Sequence, residues 1–412
     1  MSVLLVCTRD PRGRLSGRKM VLNTIIASLE ALGHDVTIAY FSATDDQPDP
    51  AAPTGQRYVC LPNPLMLERL WGGLRWLFTG RPSLNEALYF SRRAARVLDR
   101  LAKDVKADVV ITDMLRTAQY GVVSGLPWIA DLDDLLSRRY TILAESYTPS
   151  SNILGYYGSR VGRLALRTMP WLMPWVLRRE AASLTRREIE VARLATVCTL
   201  VSVSEAKALS QASGRNIQPA PMAVTGPTNT PTQAGRVKDL VFLGGLDYGP
   251  NLKSVLQYDQ HICPALRDAG LGDVKLHVIG HPDGNAPLFS KSIVLEGYVD
   301  DLDTALQTYR AMLVPQVLPG GVKTKIIVAA LNGTLVLAHS TALDGMGLQH
   351  GREILCWESS EDLAKLIKSV EQNEFDIPAI TMAARLWADR GYSPKALQAT
   401  WQDILERAVN HK

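Results

Sequence analysis

The sequence predicts an α/β protein built from two α/β units. Short apolar runs alternate with helical patterns along residues 2–213 and begin afresh along residues 237–392, which is the pattern of βαβ units. Residues 214–236 between them are rich in proline, threonine, glutamine and alanine and predict an interdomain linker. A chain of 412 residues is long enough to bury a core in each unit.

The positive charge of the chain is concentrated in one segment. The formal net charge is only +4, yet residues 160–193 hold eight arginines and three glutamates. A single basic segment argues against a general nucleic-acid binder and favours one anionic surface partner.

The cysteines and the hydropathy pattern indicate a cellular compartment. Five cysteines lie far apart, with no CxxC pair and no Cys/His cluster, which argues against a disulfide framework or a zinc site. No stretch approaches the ~18 uncharged apolar residues of a membrane-spanning helix, and the apolar run at the start is too short for a signal peptide. We therefore expect a protein of the reducing cytoplasm with no transmembrane segment.

The first α/β unit opens with a basic loop between a strand and a helix. A strand over residues 2–7 and a helix over 17–32 enclose the loop RDPRGRLSGRK, and the next strand covers 34–41. An α/β sheet binds its ligands at such loops. The glycine spacing does not fit a dinucleotide cofactor, so we interpret Gly17 and Arg18 as part of an acceptor-binding loop.

An acidic cluster follows a later strand of the same unit. The sequence DLDD begins at the carboxyl end of a strand over residues 128–131, and Arg116 lies on the preceding helix. Asp131 and Asp133 are candidates for general acid/base work, with Arg116 as an acceptor-positioning residue. The alternatives are that these acids cap and brace the loop, or bind a metal; no histidine accompanies them, so we predict no metal site.

Two segments combine tryptophan with arginine. In residues 65–84 the apolar side chains, including Trp71, fall on one helical face while arginines lie off it, with Trp76 nearby; Trp171 and Trp175 lie in the second segment, residues 147–193. Both segments predict contact with an anionic membrane surface. The alternative for the first is an ordinary helix packed on the core. Single-stranded nucleic acid is disfavoured because no recognised binding motif is present.

Residues 315–347 of the second unit combine features of a phosphate site. A strand over 313–318, a Gly320-Gly321 turn and a helix over 323–331 leave free N–H groups pointing one way, and Lys323 and Lys325 add positive charge. The alternative is a surface loop with two solvated lysines. Earlier in this unit, a strand over 239–243 leads into the loop GGLDYGPN, and a strand over 275–279 leads into GHP.

The order of these elements resembles the nucleotide-sugar domain of retaining GT-B glycosyltransferases of family 4. The matching segments are VFLGGLDYGPNLKSV, LHVIGHPD, LEGYVDDLDTALQTYRAMLVPQVLPGGVKTKIIVAALNG and STALDGMGL, followed by REILCWESSEDLAKLI. The first half resembles the bacterial surface-polysaccharide branch through TGRPSLNEALYF, ADLDDLLSRRY and RREIEVARLATVCTLVSVSEAKAL.

The resemblance implies two Rossmann-like domains that face each other across a cleft. The amino-terminal domain, 1–213, would hold the acceptor, the domain at 237–392 would hold the donor, and the helix at 393–412 would pack back on the first domain. Lys323 and Lys325 would neutralise the donor diphosphate without a metal or other cofactor. The implied donor-binding residues are Gly244, Gly245, Asp247, Tyr248, Asn251, His281, Gly320, Gly321 and Gly345.

One position departs from the family pattern. Where the family usually has a glutamate that binds the nucleotide ribose, this sequence has Val328. A ribose diol without that acceptor loses charge-assisted hydrogen bonds of roughly 1.5 to 3 kcal/mol each. Another group supplies the acceptor, the donor is unusual, or donor binding has been lost.

The function that the resemblance implies is retaining transfer from a nucleotide-diphosphate sugar to a lipid-linked, oligosaccharide or membrane-proximal acceptor in bacterial polysaccharide or glycolipid synthesis. The enzyme would lie peripherally on the inner face of the cell membrane. Two alternatives remain open at this point: a non-catalytic scaffold of the same fold, favoured by Val328, and a sugar-nucleotide epimerase, which would leave the Trp/Arg segments without a purpose.

Overall fold

A computed structural model describes residues 1–12, 17–42, 57–145, 170–227, 235–282, 288–315 and 322–410. The chain divides into two compact units. An amino-terminal unit comprises Met1–Met222 with Leu397–Lys412, and a carboxyl-terminal unit comprises Ala223–Ala396. The division falls inside the segment predicted as a linker. The final helix groups with the amino-terminal unit.

The amino-terminal unit contains a parallel sheet with the strand order β3-β2-β1-β4-β5-β6-β7. Its strands are β1 (Ser2–Cys7), β2 (Asp35–Phe41), β3 (Arg57–Leu61), β4 (Val109–Asp113), β5 (Trp128–Asp131), β6 (Val197–Leu200) and β7 (Gln218–Pro219). Its helices are α1 (Gly17–Ala31), α2 (Met66–Thr79), α3 (Leu84–Ala87), α4 (Arg92–Asp104), α5 (Met114–Ala118), α6 (Leu136–Glu145), α7 (Met173–Leu194) and α8 (Val203–Ser213).

The carboxyl-terminal unit contains a second parallel sheet, ordered β10-β9-β8-β11-β12-β13. Its strands are β8 (Val237–Leu243), β9 (Leu276–Ile279), β10 (Ile293–Gly297), β11 (Tyr309–Val314), β12 (Leu335–His339) and β13 (Leu355–Trp357). The helices that follow in chain order are α9 (Gly249–Gln257), α10 (Cys263–Asp268), α11 (Leu302–Thr308), α12 (Thr324–Leu331), α13 (Ser360–Glu371), α14 (Ile377–Tyr392) and α15 (Pro394–Asn410), the last extending into the amino-terminal unit.

Both sheets reverse their strand order next to the first strand. In the first sheet β1 lies between β2 and β4, and in the second β8 lies between β9 and β11. Ligands of open α/β sheets bind outside the carboxyl ends of the strands at such a switch point. The predicted α/β fold with two Rossmann-like domains is therefore confirmed, and each sheet has one edge at which a site is expected.

The strands are apolar because helices cover both faces of each sheet. In β1 and β4 nearly every residue is buried, and β11 and β12 are equally enclosed. Parallel sheets covered on both faces have continuous apolar strands rather than alternating ones. Burial of these strands fixes the positions of their carboxyl ends, from which the candidate site residues project.

The helix of the second Trp/Arg segment has a proline close to its start. This helix, α7, begins at Met173. Pro174 occupies the first turn, where a missing N–H costs nothing because that group has no intrahelical partner. The arginines from Arg178 onward therefore lie on one continuous helix.

Candidate functional site

Two loops of the carboxyl-terminal unit interlock at the switch point of the sheet. The loop after β8 donates from the Gly244 amide to the Ile279 carbonyl at 2.8 Å and from the Leu246 amide to the His281 carbonyl at 2.9 Å. A Cβ atom on Gly280 would lie 2.5 Å from the carbonyl carbon of Gly244, and one on Gly244 would lie 2.5 Å from the side chain of Asn251. Backbone thus packs directly on backbone, which only glycine allows.

Gly280→Ala is expected to disrupt this contact. Gly280 has a φ of +149°, and its new Cβ would meet backbone atoms that cannot rotate away. We expect a loss of about 1 to 3 kcal/mol in the free energy of unfolding, measured by urea denaturation. Gly391→Ala, with open space around its Cβ position, is the matched control. Equal stability of the two variants would contradict the interlock.

Asn251 connects these loops to Lys325. Its side-chain amide donates to the Gly245 carbonyl at 3.0 Å, and its Oδ1 accepts from Lys325 Nζ at 3.2 Å. Lys325 Nζ also lies 3.9 Å from the centre of the Phe242 ring, on β8. Lys325 stands in the first turn of α12, so its position is set jointly by the helix and by the Gly244 loop.

The ammonium group of Lys325 is poorly compensated. The residue as a whole keeps some solvent exposure, whereas its ammonium lies deep among protein atoms. Burial, reinforced by the positive charge of Lys323, lowers the pKa of Lys325 to about 7. No carboxylate pairs with it in the part of the chain that the structure describes. An anion placed here would gain a partner that the protein itself does not neutralise.

The other predicted donor residues lie in loops of the same unit. Asp247, Tyr248 and His281 are exposed after β8 and β9, while Gly345 has a φ of +76° in the turn after β12. Gly320 and Gly321 lie outside the described residues. The positions of these residues do not test their donor-binding roles, which stay predictions.

Val328 faces the core of its unit. It is partly buried and packs against the apolar cluster that contains Ile326 and Ile327. The helix position at which the resemblance implies a ribose-binding glutamate therefore presents only apolar atoms. The difference from the family pattern at Val328 is therefore also a difference in the chemistry of this part of the helix.

Four polar residues of the amino-terminal unit form one cluster, and three of them were already candidates from the sequence. The Arg18 guanidinium on α1 donates from Nε to Asp113, and through its two terminal nitrogens to Asp131 and Asp133, each at 2.7 Å. Asp113 and Asp131 end β4 and β5, and Arg18 is the second residue of the helix after β1. We call these four residues the arginine–aspartate cluster. It lies at the carboxyl edge of the sheet, next to the switch point.

The three carboxylates of the cluster have different surroundings. Burial would raise the pKa of Asp113, but Arg18 and two hydrogen bonds from Thr8 lower it below its usual value. Burial and the neighbouring carboxylates outweigh Arg18 at Asp133 and raise its pKa to about 7. The Asp133 side chain keeps 21% exposure, against 0% for Asp113 and 3% for Asp131. Of the three, Asp133 has the most exposed side chain.

The predicted acceptor residues thus have distinct positions. Gly17 starts α1, and Arg18 is buried with its nitrogens occupied by aspartates, so it holds the acids rather than presenting a free cation. Arg116 is buried on α5, donates to Asn85 at 3.0 Å and packs on the Tyr89 ring. The acceptor-binding roles of all three stay predictions.

Asp113 was missed by sequence reasoning. The acid at the carboxyl end of β4 was not considered together with those after β5. The available signal was an aspartate directly after a buried strand, adjacent in the sheet to the strand that carries Asp131. Thr8 could have been noticed in a similar way, because it is a polar residue directly after the buried strand β1.

The predicted membrane tryptophans do not share one environment. Trp71 and Trp171 are each 73% exposed and Trp175 is 48% exposed, but Trp76 is only 6% exposed and packs edge-on against Trp175. The prediction that Trp76 contacts a membrane is therefore wrong, because Trp76 faces the protein on the inner side of α2. Within the described ranges no helix is long and apolar enough to cross a membrane, and no three His, Cys, Asp or Glu residues are grouped to hold a metal ion.

Comparisons with known proteins agree with this architecture. The family described as "Glycosyl transferases group 1" matches residues 237–373, the part that contains Lys325 and the interlocked loops. Sucrose-phosphate synthase from Thermosynechococcus elongatus superimposes with a TM-score of 0.67 at 12% identity, over 100% of each chain. The fold is GT-B.

Two further solved structures share that fold. HepE of Anabaena in complex with UDP-glucose has a TM-score of 0.60 at 14% identity, over 98% of this chain and 99% of its own. WaaG, a glycosyltransferase involved in lipopolysaccharide biosynthesis, has a TM-score of 0.59 at 14% identity with the same coverage. No curated protein sequence matches the chain. At these identities the similarity establishes the fold alone.

Proposed function

We propose that this protein transfers a sugar, with retention, from a nucleoside-diphosphate sugar to a lipid-linked or membrane-proximal acceptor in bacterial polysaccharide or glycolipid synthesis. The observation that carries the proposal is the uncompensated ammonium of Lys325, held by Asn251 beside the interlocked glycine loops. The match of residues 237–373 to a glycosyltransferase family and the UDP-glucose bound to the similar HepE support it.

The donor side of the proposed reaction follows from charge. As the bond between the sugar C1 and the diphosphate oxygen breaks, negative charge grows on the leaving group, and a preorganised cation stabilises that charge more than it stabilises the ground state. Lys325 is the principal donor for this role, with Lys323 as a second cation. These groups would carry the diphosphate charge without a metal ion.

The acceptor side of the proposed reaction needs a site for one proton. The acceptor oxygen forms the new bond to C1, and its proton passes either to the leaving diphosphate oxygen or to a carboxylate of the protein. Asp133 is the candidate carboxylate because it is accessible and its pKa of about 7 suits a general base near neutral pH. Arg18 and the other two aspartates are positioning residues in this scheme.

Asp133→Asn tests the candidate base. Asparagine tolerates the left-handed φ of +67° at this position, so the variant is expected to fold and to lose about 10²- to 10⁴-fold in kcat. The rise of wild-type kcat through pH 7 is expected to disappear. Asp99→Asn on α4 is the control. Full activity with an unchanged pH profile would assign the proton to the leaving phosphate instead.

A nucleotide panel tests the function as a whole. Thermal unfolding is measured with UDP, GDP, ADP and dTDP, and nucleoside diphosphate release from the matching sugar donors is measured with and without membrane extract as acceptor source. Stabilisation by one diphosphate and acceptor-dependent release are expected. Release together with an epimerised free sugar would indicate an epimerase.

The non-catalytic scaffold remains the second candidate because of Val328. A helix face without a ribose acceptor is what loss of donor binding would leave. If no nucleotide stabilises the protein and no donor is consumed, the scaffold replaces the transferase. The lysine and the glycine interlock favour the transferase, since a scaffold gains nothing from a poorly compensated ammonium.

The proposed acceptor places the protein at the inner face of the cell membrane. Exposed Trp71, Trp171 and Trp175 and the basic residues of α7 support peripheral association with an anionic surface. Association of this kind would bring the active edge of the protein to an acceptor that cannot leave the bilayer.

A further inference from the structure

An apolar ridge runs along the outer side of α2. Leu67 and Phe78 are 77% and 80% exposed, and Leu70, Trp71 and Leu74 between them are also exposed. Their spacing places them along one side of the helix, opposite Trp76, which is the buried residue of α2. We call these five residues the α2 ridge. The alternative that α2 is an ordinary core helix does not account for this exposure.

A small cationic cavity adjoins the carboxyl end of α2. Its volume is about 250 Å³, and its lining includes Gly80, Trp175, Arg178, Arg179 and Arg186. The rest of the described lining is Thr79, Ala182 and Ser183, so among the residues that the structure describes three guanidinium groups line the cavity and no carboxylate does. Three like charges within one cavity repel one another unless an anion occupies it.

Arg179 is fixed in place by the end of α2. It donates to the Leu77 carbonyl at 2.6 Å and to the Trp76 carbonyl at 3.3 Å, and the Trp76 carbonyl also accepts from the Gly80 amide at 2.8 Å. Its guanidinium lies over the rings of Trp76 and Trp175, at 5.7 and 5.6 Å. Its Nε atom is buried, and no described residue accepts a hydrogen bond from it. Arg179 therefore has a structural role, and its Nε–H group is still available to donate a hydrogen bond.

Arg178 and Arg186 have no such structural role. Both are exposed, and neither forms an ion pair within the ranges that the structure describes. The neighbouring Arg187, by contrast, is held by Glu86 and Glu190. The chain thus pairs the arginine that faces the core and leaves the two that face the cavity available.

We propose that this cavity binds the phosphate of an anionic membrane lipid while the α2 ridge lies among the acyl chains. Arginine suits a phosphate because its planar fork donates two parallel hydrogen bonds. An apolar ridge next to a cationic cavity matches the two parts of a phospholipid, and Trp175, which lines the cavity, suits the interface between them. The inference deepens the membrane part of the proposed function and does not involve Lys325.

Vesicle binding tests the lipid site. The full chain is sedimented with vesicles of phosphatidylcholine, with or without phosphatidylglycerol. The wild type is expected to bind only when phosphatidylglycerol is present. Arg178→Gln with Arg186→Gln is expected to weaken binding about 30-fold, at about 1 kcal/mol for each arginine near the surface. Trp71→Ser with Phe78→Ser is expected to weaken it as well.

A matched control separates this cavity from general charge attraction. Arg96→Gln with Arg100→Gln removes the same charge from exposed positions on α4 and is expected to retain binding within about threefold. UDP binding by all variants, measured by calorimetry, is expected to equal that of the wild type. Loss of UDP binding in the wild type would count against the donor site and not against the lipid site.

Three results would overturn the lipid site. The first is equal loss of vesicle binding in the cavity variant and the α4 variant. The second is stabilisation by inorganic phosphate with no vesicle binding, which would indicate a soluble phosphate ligand. The third is a concentration-dependent dimer that Trp71→Ser with Phe78→Ser abolishes, with no vesicle binding, which would make the ridge an interface between copies of the chain.

Discussion

Lys325→Met is expected to abolish sugar transfer and to make the ligand-free protein more stable. Methionine fills the same space beside Phe242 but needs no counterion. Loss of a preorganised donor to the leaving group is expected to lower kcat by about 10²- to 10³-fold. Nucleoside diphosphate release measures the activity, and urea denaturation measures the stability.

The gain in stability has a defined pH range. The pKa of Lys325 is about 7 in the folded protein, against an ordinary value of 10.5. The free-energy cost of burying the charged lysine is therefore fully present below pH 7 and disappears as the pH rises from 7 to 10.5. We expect the variant to be about 1 to 2 kcal/mol more stable than the wild type at pH 7, and the difference to shrink at pH 9.

Donor binding has the complementary pH dependence. A diphosphate restores the charge of Lys325, so wild-type UDP affinity is expected to fall by up to about tenfold per pH unit above pH 7, with proton uptake on binding. Calorimetry in two buffers of different ionisation enthalpy measures that uptake. Lys365→Met, at an exposed position on α13, should change nothing. A Lys325→Met variant that keeps wild-type affinity and activity would refute the donor site.

Arg18→Met is expected to destabilise the protein more than any other single change considered for the amino-terminal unit. The arginine contacts three aspartates at 2.7 Å or less, and two of these are almost wholly buried. Removing one partner from a buried ion pair leaves uncompensated charge and costs about 3 to 5 kcal/mol. Urea denaturation at pH 5 and pH 8 measures the loss.

The pH dependence distinguishes electrostatics from packing. With Arg18 present, the lowered pKa of Asp113 contributes stability above its usual titration range, and this contribution is lost only as the pH falls through the lowered value. Without Arg18 the buried carboxyl of Asp113 becomes costly to ionise, so the loss should be largest at pH 8 and smaller at pH 5. An equal loss at both pH values would indicate packing alone.

A conservative variant guards against a protein that fails to fold. Arg18→Lys keeps the charge but cannot reach three carboxylates in fixed directions, and we expect it to lose roughly half as much stability as Arg18→Met. Arg100→Met on α4 should remain within about 0.5 kcal/mol of the wild type. If both Arg18 variants match that control, the cluster has no stabilising role.

The sequence was sufficient for the fold because apolar strands and glycine turns are local signals. The strands at 2–7 and 128–131 were predicted with the bounds that the structure has. The strand before Lys323 was predicted at 313–318, whereas β11 is Tyr309–Val314, because it follows directly on the helix that ends at Thr308. Such shifts at element ends are small, but they determine which residue stands at a strand terminus.

The candidate sites were only partly predictable because they depend on contacts between distant residues. Arg18, Asp131 and Asp133 were each singled out, but nothing local indicated that one arginine binds both acids and Asp113 as well. Likewise, the burial of Trp76 beside Trp175 depends on contact between residues 99 positions apart in the chain. The lowered pKa of Lys325 depends on the groups that surround its ammonium in the folded protein. The periodicity of the sequence does not identify those groups.

The interlocked loops place Lys325 through a series of contacts. Gly280 touches the Gly244 backbone, Gly244 touches Asn251, and Asn251 accepts the hydrogen bond from Lys325. A larger residue at either glycine would move the next member of the series, so these four positions cannot be optimised one at a time. During evolution or redesign of the donor site they would have to change together, and their single-substitution effects would not add.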